Sequence, residues 1–168
     1  MRVGIYGGTF SPVHNGHVAA AKAFMEQMWL DILYVIPTGV TPHKDMKGDA
    51  TAKDRLEMCR LAFAEMDGVI VSDLEMRREG KSYTVYTLPE FMGNGELFML
   101  CGTDMFLTIH SWFHADEIMK LCTIALMKRE AENAKITDYD TQKRRENAIA
   151  IEEVQRKRAA TNTKHEEQ

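Results

Sequence analysis

The chain opens on an apolar run, Val3 to Tyr6, that ends at paired glycines. The next apolar positions, Ala21, Phe24, Met25 and Met28, recur at helical spacing. A second run, Ile32 to Ile36, is rich in β-formers and stops at Pro37. The alternation then repeats: Leu56, Cys59, Phe63 and Met66 mark one face of a second helix, Val69 to Val71 a short strand, and Glu96 to Cys101 and Thr123 to Met127 two buried strands. Ser82 is placed to cap a helix starting near Tyr83. Pro89 predicts that this helix kinks or ends early, because a proline inside a helix costs on the order of 3 kcal/mol. Strands alternating with helices predict an α/β domain, a doubly wound, Rossmann-like parallel sheet with helices on both faces and right-handed crossovers. Past Lys128 the pattern gives way to charged, polar sequence, including Lys143 to Glu146 and Arg156 to Arg158. The expected organisation is one α/β domain over residues 1–129 and a polar, helical or frayed C-terminal segment over 130–168.

With 168 residues, 45% of them hydrophobic, the chain can bury one sizeable core. Its net charge of -4 argues against a broad nucleic-acid footprint, and no apolar segment is long enough for a membrane span. Small molecules are the expected partners, and a homo-oligomer is compatible with the composition. Cys59, Cys101 and Cys122 are odd in number and lack CxxC spacing, so they read as reduced thiols of a cytoplasmic protein. The twelve methionines read as core filler.

Ligands of doubly wound sheets bind outside the carboxyl ends of the strands. Four segments follow strands here: Gly7-Gly8-Thr9-Phe10, Pro37 to Lys44, Gly102-Thr103-Asp104 and the loop to Trp112. The first leads into His14-Asn15-Gly16-His17, so two histidines can point from a loop and a first helical turn into one site, beside glycines that let the backbone turn and approach a ligand. Each residue also has a plainer reading. Isolated histidines are usually caps or core residues, Lys44 reads equally as a surface lysine, Asp104 as a helix cap and Trp112 as core. His110 and His114 find no convincing set of metal ligands around them. Asp54 and Arg55 open the second helix and read as structural, the acid complementing the helix dipole and the Arg pairing locally.

The GGTF and HxGH signatures together resemble the nucleotidyltransferase superfamily. With Pro37 to Lys44, Lys81-Ser82-Tyr83-Thr84, Gly102-Thr103-Asp104 and Trp112-Phe113 in this order, the chain resembles the bacterial nicotinate-nucleotide adenylyltransferases from Arg2 to about Arg129. The resemblance implies adenylyl transfer from ATP to nicotinate mononucleotide in NAD biosynthesis. It assigns charge stabilisation at the α-phosphate to His14 and His17, and nucleotide contacts to Gly8, Thr9, Phe10, Gly102 and Asp104. It also assigns a phosphate cation to Lys44, a stack on the pyridine ring to Trp112, and carboxylate-binding amides to the neighbourhoods of Phe113 and Thr84. Mg²⁺ is implied as a companion of ATP, without a dedicated protein site. Two other readings stay open: an adenylyl- or cytidylyltransferase with another acceptor, and a catalytically weak nucleotide binder.

The chain departs from the pattern twice. Ser11 stands where the family usually has Asp, although both residue types bond nearby backbone N–H groups. No Ile-Ser-Ser-Thr-x-Ile-Arg type segment occurs near the C-terminus, and Thr161 and Thr163, the nearest hydroxyl pair, lack its apolar flanks and downstream Arg. Missing donors at a transferring phosphoryl group cost about 3 kcal/mol, which leads to the expectation of weak ATP binding and slow turnover.

Overall fold

The structure, a computed structural model, describes residues 1–39, 51–80, 83–130 and 133–138. Strand β1 (Arg2–Gly8) leads into helix α1 (Asn15–Gln27), strand β2 (Ile32–Pro37), helix α2 (Ala52–Phe63) and the short strand β3 (Val69–Val71). The helical turns α3 (Leu74–Arg77) and α4 (Thr84–Thr87) and a 3₁₀ helix over Leu88–Asn94 cross to β4 (Glu96–Gly102). Then come α5 (Thr103–Thr108), a 3₁₀ turn over Ile109–Ser111, α6 (Ala115–Leu121), β5 (Thr123–Glu130) and β6 (Asn133–Asp138). The sheet runs β3-β2-β1-β4-β5-β6, and β1 to β5 are mutually parallel.

Alternation along the strands sets the two faces, since successive side chains point to opposite sides. From β1, Val3 and Ile5 join the layer that holds Val85, Leu88, Ile109 and Ile118, while Tyr6 joins the layer that holds Ala21, Phe24, Cys59 and Phe63. On β4, Leu97, Met99 and Cys101 take the first layer and Phe98 and Leu100 the second. Both faces are therefore covered by helices, as the sequence pattern predicts. Gly4 faces α1 in so tight a space that a Cβ there would come within 3.0 Å of the side chains of Leu30, Leu33 and Phe24.

Two details differ from the sequence reading. The buried stripe of α2 is Arg55, Cys59 and Phe63, and Leu56 is only partly buried. Residues 133–138, read as part of a polar tail, form an antiparallel strand paired with β5 from Ala125↔Asp138 to Glu130↔Asn133. Ile136 of that strand packs on the α1 side of the sheet, and its N–H donates to Gln27 Oε1 at 2.8 Å. Pro89 lies just past α4, where the chain continues as a 3₁₀ helix, so the early helix end is as predicted. Ser82 and Lys81 lie outside the described residues.

Candidate active site

The strand order places β1 between β2 and β4, and the connection that leaves β3 returns on the far side of β1. A doubly wound sheet opens a crevice at such a reversal, outside the carboxyl ends of the strands. A cleft of about 1000 Å³ lies there. Its walls include Gly8, Thr9, Phe10, His14 and His17 from the loop after β1, Thr38 after β2, Glu75 from α3, Tyr83, Thr84 and Thr87 around α4, and Trp112 and Phe113 before α6. Eight residues singled out from sequence thus converge: Gly8, Thr9, Phe10, His14, His17, Thr84, Trp112 and Phe113.

The loop after β1 turns differently from the expectation placed on its glycines. Gly7 and Gly8 close the strand itself, and the left-handed residue is Phe10, with φ 49°. Gly8 is needed for room: a Cβ there would sit 3.2 Å from the Phe10 ring. Phe10 is buried, stacked edge-on against Tyr6 at 5.3 Å and His17 at 4.9 Å between ring centroids. A core aromatic thereby anchors the turn and holds one of the two histidines.

The histidines cap α1. Gly16 N–H donates to His14 Nδ1 and His14 N–H donates to His17 Nδ1, each at 3.0 Å, a reciprocal capping box that satisfies two otherwise orphaned backbone donors. A ring nitrogen that accepts a hydrogen bond carries no proton, so each neutral ring bears its hydrogen on Nε2. The rings lie 3.9 Å apart at a tilt of 31°. Both residues line the cleft, a placement suited to contacts with phosphate oxygens.

On the opposite wall, Phe113 packs against Tyr83 at 4.7 Å and is 43% exposed, leaving ring surface open to a ligand. Trp112 is half-buried, and its Nε1–H donates to Thr108 Oγ1 at 3.3 Å, which fixes the indole plane. Glu75 is buried and accepts from Thr87 Oγ1 at 2.8 Å, while Arg78 Nη1 donates to the same hydroxyl at 3.1 Å. The Thr38 hydroxyl is buried in the cleft wall and has no hydrogen-bond partner among the described residues.

Gly102 ends β4 with open space over its Cα, outside the lining of the cleft. Asp104 is the second residue of α5, but its side chain lies outside the described part of the molecule, as does Lys44 altogether. Sequence reasoning did not single out Glu75 or Thr87, took Thr38 only within the Pro37 to Lys44 segment, and read Arg55 as structural. Only the periodicity that puts Arg55 in register with Cys59 and Phe63 could have flagged one of them.

The family model described as Cytidylyltransferase-like matches residues 5–159. A protein of Aquifex aeolicus named as a probable nicotinate-nucleotide adenylyltransferase is 40% identical over 142 residues, covering 83% of this chain and 83% of that protein. The chain belongs to the nicotinate-nucleotide adenylyltransferases of the cytidylyltransferase-like family. A relative of the same name from Desulfatibacillum aliphaticivorans is 41% identical over 130 residues, or 77% of this chain, and the chain spans 60% of that relative's length. Among solved structures, the Plasmodium falciparum nicotinic acid mononucleotide adenylyltransferase complexed with NaAD superposes with a TM-score of 0.66 at 18% identity, over 77% of this chain and 65% of that one. At that identity the likeness speaks for the fold. Nucleotidyltransferases generally use a divalent metal with ATP. No helix among the described residues is long and apolar enough to cross a membrane.

Proposed function

We infer that this chain transfers an adenylyl group from ATP to nicotinate mononucleotide, forming nicotinate adenine dinucleotide and pyrophosphate. Family membership supports the reaction class, and the observation that carries the mechanism is the histidine pair with both Nδ1 atoms committed to backbone N–H groups. An oxygen of the acceptor's phosphate attacks the α-phosphorus, the bond to the bridging oxygen breaks, and pyrophosphate leaves with the electron pair. The acceptor is itself the nucleophile. What the protein must supply is alignment and donors for the charge that builds on phosphate oxygens. His14 and His17 give Nε2–H donors, and the loop around Gly8, Thr9 and Phe10, with Gly102 and Asp104 beyond it, takes the nucleotide. Lys44 supplies a cation to a phosphate.

Trp112 and Phe113 take the pyridine ring, and backbone amides near Phe113 and Thr84 take its carboxylate. Charge-assisted hydrogen bonds from those amides favour the acid over the amide. ATP enters as its Mg²⁺ complex. In this reading phosphate oxygens and water would hold the ion, since Mg²⁺ usually keeps several waters when it accompanies a nucleotide.

Pyrophosphate release with ATP and a panel of phosphorylated acceptors tests the proposal. The expected outcome is a kcat/KM for nicotinate mononucleotide well above those for its amide counterpart and for phosphopantetheine. Equal values for acid and amide would remove the carboxylate-reading role from Thr84 and Phe113.

A further inference from the structure

Arg55 lies in the first turn of α2 and is 1% exposed. A guanidinium is costly to bury unless its N–H groups find acceptors. Its acceptors are remote in sequence: Nη1 donates to the carbonyl of Thr9 at 2.9 Å and Nη2 to the carbonyl of Gly39 at 3.3 Å. Thr9 belongs to the loop that ends at the histidine pair. Gly39 follows β2 and Thr38, and leads in sequence toward Lys44.

Gly39 is held from its other side as well. A Cβ on it would lie 2.6 Å from the backbone oxygen of Glu75, so α3 backs the segment that the guanidinium grips. Glu75 is in turn bonded to Thr87 of α4 on the far wall of the cleft. One line of contacts therefore runs from the histidine loop through Arg55 and Gly39 to the wall that bears Thr84. The planar fork of an arginine suits this position because its two outer nitrogens can hold two carbonyls at a set separation, which a single ammonium cannot do.

We propose that Arg55 is a positioning residue for adenylyl transfer, its guanidinium fixing the distance between the loop of Thr9 and the segment of Gly39 so that donor and acceptor phosphates meet in line. This rests on the transfer reaction inferred above. Such a residue acts on the encounter of two bound substrates. Its loss therefore falls on kcat, with the affinity for ATP alone little changed.

Two variants test this from opposite ends of the contact. Arg55→Lys keeps the charge but loses the fork, and Gly39→Ala pushes the gripped carbonyl away while leaving Arg55 in place. For both, kcat for pyrophosphate release is measured beside the ATP dissociation constant by calorimetry and the folded fraction by thermal melting. The expected result is a fall in kcat of at least about tenfold with the ATP dissociation constant changed less than about threefold. If Arg55→Lys does not fold, Gly39→Ala decides. A kcat within about twofold of the parent, or a loss no larger than the loss of folded protein, overturns the proposal. A parent chain that turns over only another phosphorylated acceptor corrects the acceptor assignment alone, and the same comparison runs on that acceptor. A parent chain without turnover on any acceptor overturns both.

Discussion

His17 combines two tasks in one ring, because its Nδ1 closes the cap of α1 while the residue also lines the cleft. Replacing it with Ala should lower kcat by at least about tenfold, or 1.4 kcal/mol of transition-state stabilisation, and cost about 1 kcal/mol of stability from the lost cap. Pyrophosphate release and urea melting on the same preparation separate the two effects, and an unchanged kcat removes His17 from the mechanism. The cysteines make a different prediction. Burial pushes the Cys101 and Cys122 thiols up to about 12, and Cys59 up to about 11 against the opposing pull of Arg55. The unfolded chain ionises these groups from their ordinary value of 9.0, so it releases protons first as the pH rises. Their contribution to stability is thus intact below pH 9 and is lost progressively above it. Urea melts of the parent and Cys101→Ala between pH 7 and pH 10.5 should show a steeper alkaline decline in the parent.

At the scale of elements, β1, β2, β4 and β5 were legible because each carries a run of apolar residues on both faces, as strands covered on two sides must, and the edge strand β3 was legible as a short apolar run although Ile70 is exposed. β6 was not. Its sequence, Asn-Ala-Lys-Ile-Thr-Asp, offers only Ile136 as a large apolar residue, and its place depends on the backbone ladder to β5, which leaves no hydrophobic signature. Arg55 was read as pairing locally for a related reason, since its carbonyl partners, Thr9 and Gly39, are distant in sequence and leave no local pattern. Two variants probe these contacts. Gly4→Ala forces a methyl against Leu30, Leu33 and Phe24 and should cost about 1–3 kcal/mol by overpacking, read as a lower urea midpoint. A chain ended after Glu130 should melt below one ended after Asp138, because it uncovers the outer edge of β5. Equal melting temperatures would show β6 to be an ornament.

On the scale of the whole molecule, the site was readable where motif residues follow strands, since the topology that gathers them is implied by the βα alternation itself. The Glu75–Thr87 wall was not readable, because it forms between two short helical turns with no periodic pattern to place them. The missing Ile-Ser-Ser-Thr-x-Ile-Arg segment bears on the molecule's overall performance. We expect these 168 residues to bind ATP weakly, and a family-like segment grafted after the last strand, with its helix N-terminus positioned, to raise both affinity and kcat. An ATP titration of parent, graft and a graft lacking its Arg checks this, and a parent equal to the graft would show that residues beyond 128 already grip the triphosphate.

The ladder between β1 and β4 consists of Arg2↔Glu96, Val3↔Leu97, Gly4↔Phe98 and Ile5↔Met99, and it joins the half of the chain that bears the histidines to the half that bears Trp112. The smallest slip that keeps each side chain on its own face is two residues, which moves one half past the other by about 6–7 Å. An in-line attack tolerates a gap of about 3–3.5 Å between reacting atoms. This seam therefore works as a vernier: the chemistry runs only at one setting of it, and turnover reports its alignment even when every residue around the substrates is intact.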